Sequence, residues 1–141
     1  MIQLTLSAPI AAYGIGTRVQ HRLTQDAPTR SAVLGLLRCA LGVPRFQPCP
    51  ELDALTITVD SATHADTVRD FQTVRNAVDY NNSPGRNIIT TRHYLLEAGA
   101  TVTIDGPPDT LERITEALRR PHWQLYLGRR SCVPDRPILA A

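Results

Sequence analysis

Residues 98–127 read AGATVTIDGPPDTLERITEALRRPHWQLYL, and three patterns follow one another in them. Ala98, Ala100, Val102 and Ile104 alternate with small or polar residues, the period of a half-buried strand. PPDTLERITEALRRP then places Leu111, Ile114, Ala117 and Leu118 on one stripe of a helix. Asp109 and Glu112 sit early in that helix and Arg119 and Arg120 late, the order its dipole favours, and Pro121 ends it. Trp123, Leu125 and Leu127 alternate again, predicting a further strand. The stretch therefore reads β-α-β.

The first third of the chain repeats this order. Ile2, Leu4, Leu6 and Ala8 alternate with Gln3, Thr5 and Ser7. A long loop, PIAAYGIGTRVQHRLTQDAPT, follows; its length marks it as a functional candidate. PTRSAVLGLLRCALG predicts a helix from about Arg30 to Leu41, closed by Gly42 and Pro44. LDALTITVD then alternates as a second strand. Two β-α-β halves give an α+β fold, a ferredoxin-like (RRM-like) βαββαβ domain spanning residues 1–141. Between the second and third strands lies an arginine-rich insertion, about residues 61–95. The strong turn Asn81-Asn82-Ser83-Pro84-Gly85 marks it as a protruding hairpin or mixed helical arm, with Arg69, Arg75, Arg86 and Arg92 on its limbs.

The bulk numbers suit one globular domain: 141 residues, 43% hydrophobic. No apolar run approaches the ~20 residues of a membrane span, and the alternating N-terminus is unlike a signal peptide. The reading is a soluble, cytoplasmic protein with no membrane contact. Cys39, Cys49 and Cys132 are odd in number and lack C-x-x-C spacing, and His21, His64, His93 and His122 are scattered. No disulfide framework, metal or cofactor is expected.

Net charge is only +2, but it is segregated: +4 over residues 1–50, −4 over 51–70 and +4 over 117–141. Basic patches follow from that distribution. All 15 basic residues are arginine, so any phosphate contact uses guanidinium forks, and mechanisms that need lysine are excluded.

Enzyme motifs are absent. Gly14-x-Gly16 lacks the third glycine of a dinucleotide fingerprint, Val19 holding that place, and no elbow frames a serine. Asp105 and Asp109 begin a helix more naturally than they form an acid/base pair. Nucleic-acid binding fares better, although the outward residues of the third strand, Gly99, Thr101 and Thr103, give no aromatic stacking surface. Three arginine groups remain: Arg18, Arg22 and Arg30; Arg75, Arg86 and Arg92; Arg129 and Arg130. At the first helix start, Thr29, Arg30 and Ser31 converge with free backbone amides, a suitable anion site; plain N-capping by Thr29 is the competing reading. Arg30 stands at the wrong end of the helix dipole, so a phosphate or an acid such as Asp26 would be its partner. The GRRSC turn adds Ser131 to Arg129 and Arg130.

Taken in order, APIAAYG, Arg22-x-Thr24, PTRSAVLGLLRCALGVPR, RDFQTV, R-x-YLLEA (Arg92 to Ala98) and LRRPHWQLYLGRRSC resemble the CasD-type Cas-five family, subunits of the type I-E CRISPR Cascade antiviral complex. PTRSAVLGLL and YLGRRSC are the most specific blocks, and the resemblance covers nearly the whole chain. It implies a non-catalytic subunit that binds the 5′ handle of CRISPR guide RNA. Its implied partners are Cas-seven backbone subunits, the Cas-eight large subunit and, through the assembled complex, target DNA. The arm around Arg69 to Arg92 matches the family's thumb. The resemblance places Thr29-Arg30-Ser31 and Arg129-Arg130-Ser131 around the handle, and with the arginine groups above the expected RNA contacts are Arg18, Arg22, Thr29, Arg30, Ser31, Arg75, Arg86, Arg92, Arg129, Arg130 and Ser131. Gln72 stands where the family commonly carries a histidine, and a further β-rich part of the family is expected to be missing after SCVPDRPI. A sister branch cleaves the guide precursor without metal; His21, Tyr13 and His93 would be the groups available for that chemistry.

Overall fold

The computed structural model describes residues 1–15, 20–78 and 85–139. Its elements are β1 (Ile2–Ala11), β2 (Tyr13–Ile15), β3 (His21–Gln25), α1 (Arg30–Leu41), α2 (Pro50–Asp53), β4 (Thr56–Thr63), β5 (Asp66–Ala77), β6 (Arg86–Asp105) and α3 (Pro108–Arg119). This is a mixed α+β fold around a six-stranded sheet.

β6 is the axis of that sheet. Its base half pairs antiparallel with β1, from Ile2↔Ile104 to Ala11↔Leu95, and on its other side with β4, from Thr56↔Asp105 to Thr63↔Gly99. Its upper half pairs antiparallel with β5, from Asp66↔Leu96 to Ala77↔Arg86, and parallel with β3 at His21↔Thr91 and Arg22↔Arg92. Leu4, Leu6, Ala8, Ala100, Val102 and Ile104 are buried with Val33, Leu36 and Leu37 of α1 and Leu111, Ile114 and Leu118 of α3. Both helices form for the reasons their stripes indicate. Thr29 caps α1 by accepting from the Ala32 amide at 3.2 Å, and Gly42, at φ 71°, closes it in the left-handed conformation.

Three expectations change. The long first loop contains two short strands, β2 and β3, paired from Tyr13↔Gln25 to Ile15↔Leu23. Of the two forms expected for residues 61–95, β5 and the upper half of β6 take the hairpin, paired from Asp66↔Leu96 to Ala77↔Arg86, and the third strand, expected from Ala98, begins at Arg86. The turn residues 81–84 lie outside the described residues.

Trp123–Leu127 is not a strand. Its first amides are spent on the end of α1, His122 donating to the Ala40 carbonyl and Trp123 to that of Cys39. The chain then runs along the free edge of β1 with isolated bonds only: Ala12 N to Leu127 O, Asp135 N to Ser7 O and Thr5 N to Ile138 O. Pro134 and Pro137 have no N–H to donate, so no continuous ladder can form there.

Candidate nucleic-acid interface

The cation-rich site is built where the upper half of β6 meets the turn after residue 127. Thr90, Arg92 and Tyr94 are two apart on β6 and share one face. Opposite them in register on β5 stand Gln72, Asp70 and Val68. Arg22 of β3 pairs with Arg92 from the other side. Across this face the turn residues Arg129 and Ser131 close down on Tyr94.

Gly128 makes that closure possible. Its φ is 90°, and a Cβ there would lie 1.7 Å from the Ala12 carbonyl oxygen. The turn is pinned further by Leu127 N to Cys132 O at 2.7 Å and Cys132 N to Arg129 O at 2.8 Å. The Arg129 guanidinium then lies 4.7 Å from the centre of the Tyr94 ring and donates to the Arg22 carbonyl at 3.1 Å. Burial pushes the Tyr94 phenol up, but hydrogen bonding with Arg129, Ser131 and Arg92, and the Arg129 charge, outweigh it. The phenol therefore titrates below its ordinary value.

The site is short of acceptors. Arg92 Nε and Arg129 Nη1 are shielded from solvent and have no hydrogen-bond partner among the described residues. Neither arginine has a carboxylate within ion-pair distance among those residues. Asp70 faces Arg92 in register, but one of its oxygens accepts from Gln72 Nε2 at 2.6 Å. Two guanidiniums packed on one phenol without a countercharge suit an added anion.

The other expected residues are placed elsewhere. Arg30 donates to the carbonyls of Leu55 and Asp53, both at 2.8 Å, so it ties the start of α1 to the end of α2 and turns to neither Asp26 nor the capping hydroxyls. Thr29 and Ser31 hold each other at 3.1 Å at the cap of α1. Arg75 and Arg86 are exposed near the far end of the β5–β6 pair, and Arg130 is exposed beside Arg129. Arg18 lies outside the described residues. The three sequence groups are thus regrouped: Arg22, Arg92, Arg129 and Ser131 come together, one or more from each. Tyr94, their common centre, reads in sequence as one more apolar residue of YLLEA. Its two-residue spacing from Arg92 is the signal that could have marked it.

Among the described residues no group of histidine, cysteine and acidic side chains could hold a metal, and no helix is long and apolar enough to cross a membrane. The three cysteines are buried free thiols whose pKa values burial raises.

The family model described as CRISPR-associated protein (Cas_Cas5) matches residues 1–141. The chain is 35% identical over 152 residues to the CRISPR system Cascade subunit CasD of Escherichia coli (strain K12), a match covering 96% of this chain and 67% of CasD. A solved chain described as part of a CRISPR RNA-guided surveillance complex superposes with a TM-score of 0.82 at 31% identity, over 98% of this chain and 61% of the other. A crystal structure of a Cas protein gives a TM-score of 0.69 at 32% identity, over 99% and 62%. The chain thus spans about three-fifths to two-thirds of these relatives' lengths.

Proposed function

The chain belongs to the Cas_Cas5 family of CRISPR-associated proteins, and we propose that it acts as a non-catalytic RNA-gripping subunit of a type I-E Cascade surveillance complex. In this reading it holds the 5′ handle of the guide RNA and anchors the Cas-seven backbone and the Cas-eight subunit. The sheet order, with the C-terminal segment on the outer edge of β1, is a ferredoxin-like arrangement whose last strand has lost its ladder. The β5–β6 pair serves as the thumb.

One observation carries the RNA reading: Arg92 and Arg129 converge on Tyr94 with no carboxylate in ion-pair distance, and one nitrogen of each, Arg92 Nε and Arg129 Nη1, has no acceptor among the described residues. A backbone phosphate would supply both the charge and the acceptors. Arg22 and Arg130 border the site, and Arg75 and Arg86 extend the positive surface along the arm. Thr29, Arg30 and Ser31 are assigned here to holding α1 in place.

Of the three groups named for the ribonuclease reading, His21 and His93 stay available and Tyr13 does not. Tyr13 is only 3% exposed and its phenol is pushed up to about 12, mainly by burial, so it is no accessible base near neutral pH.

Binding to a labelled 5′-handle RNA across a salt series tests the proposal. For single strands the slope of log K against log salt is about −0.7 per neutralised phosphate. Arg92→Gln with Arg129→Gln should weaken binding at least about tenfold and flatten the slope by at least one such unit. Unchanged affinity and slope would remove the site from the RNA path, and metal-independent cutting of a repeat RNA would favour the enzyme.

A further inference from the structure

The face of the arm turned away from Tyr94 is built differently, and we propose that it is a base-stacking platform for unpaired nucleotides, centred on Phe71. This rests on the RNA-binding reading above and adds a second contact surface to it.

Register assigns the residues of this face. Phe71 of β5 is paired with Thr91 of β6, which is paired in turn with His21 of β3, so the three form one row across the sheet. Arg69 with His93 makes the next row, and Thr73 with Ile89 the row on the other side. Alternation puts Asp70, Gln72, Arg92 and Tyr94 on the opposite face. Exposure is highest at the centre of this face, where Phe71 and Ile89 are 63% and 52% exposed against 4% and 8% for Thr90 and Tyr94 opposite; toward the base of the arm the face closes at Leu95, the buried partner of Thr67.

The composition of the face indicates what would cover it. On β5 it carries Thr67, Arg69, Phe71 and Thr73; on β6, Ile89, Thr91 and His93; on β3, His21 and Leu23. None of these is an acid. An exposed aromatic ring with an arginine, two imidazoles and hydroxyls around it matches single-stranded nucleic acid, whose bases stack on the ring while cations track the backbone. An exposed phenylalanine and isoleucine on neighbouring strands also make an apolar patch that water solvates poorly. The third strand's outward residues lack aromatics, as its sequence indicates; the ring is supplied instead by β5, which extends the same sheet.

The test uses the purified 141-residue chain and a fluorescein-labelled 12-nucleotide oligoadenylate at low salt. Phe71→Ala should weaken binding about 5- to 100-fold, the range for loss of one base–aromatic stack, and leave the salt slope unchanged. Phe71→Trp should bind within about threefold of the parent, and Phe71→Leu should behave like Phe71→Ala. Arg69→Gln should instead reduce the salt slope by one phosphate contact. Phe71 is exposed, so equal melting temperatures are expected and show that the fold is intact. Parent-like binding by Phe71→Ala, or full restoration by Phe71→Leu, overturns the platform. So does failure of the parent chain to bind the oligonucleotide, or loss of subunit assembly with RNA binding intact, which would mark a protein contact. If Arg92→Gln with Arg129→Gln weakens handle binding while Phe71→Ala does not, the platform fails and the handle site stands.

Discussion

Arg30 donates two hydrogen bonds to carbonyls 23 and 25 residues away, and those bonds explain a cation placed at the positive end of α1. The carbonyls of Asp53 and Leu55 lie at the end of α2, where backbone oxygens are short of donors. Removing them in Arg30→Ala should cost about 1–3 kcal/mol of stability by urea unfolding, and Arg30→Lys should recover less than half, since one ammonium lacks the planar fork. Gly128 is the opposite case, a residue defined by what cannot be added to it. Gly128→Ala should be destabilising by at least about 2 kcal/mol and should move Arg129 off Tyr94. The second effect is visible without unfolding. In the parent the Tyr94 phenol titrates below the ordinary tyrosine value, and in Arg129→Gln the Arg129 hydrogen bond and charge are lost while those of Ser131 and Arg92 stay, so the titration should move up, read by absorbance at 295 nm.

At the scale of elements, the legible parts were those with one buried and one wet side. β1, α1, α3 and the base of β6 carry the hydrophobic periods that their burial requires. The upper half of β6, RNIITTRHYLLEA, shows no such period, because Tyr94 is covered by Arg129 and Ser131 on one side, its neighbour Leu95 is buried on the other, and Ile89 is exposed. WQLYL shows the period without the strand, because its neighbours are a helix end and two prolines. The bonds of Arg30 leave no trace at helical spacing for a related reason: its partners are set by tertiary packing. The middle of β6 holds a further local feature. Glu97 adopts φ 49°, beside the break between β4 and β5. Glu97→Gly should therefore be neutral or stabilising by up to about 1 kcal/mol in thermal unfolding, whereas glycine inside an ordinary strand weakens it.

For the whole molecule, the segregated charge and the two tyrosines set how it responds to solution conditions. Tyr13, inside the core beside Cys132, is pushed up to about 12 by burial and by that thiol. Its folded value lies above its unfolded value of about 10, so its contribution is complete below pH 10 and is lost as pH rises toward 12. The loss should reach about 3 kcal/mol, and Tyr13→Phe should remove that pH dependence in alkaline unfolding experiments. Tyr94 works in the other direction, adding stability as pH rises from its lowered folded value to the unfolded one.

The proposed RNA grip is tested most directly in the assembled complex. The direct measurement is the amount of guide RNA that copurifies with the assembled Cascade complex carrying Arg92→Gln and Arg129→Gln, followed through salt washes from 50 to about 500 mM. The account predicts complexes that lose guide RNA, or fail to assemble around it, at salt the parent withstands. Full guide RNA retention, with the parent's salt resistance, would contradict it.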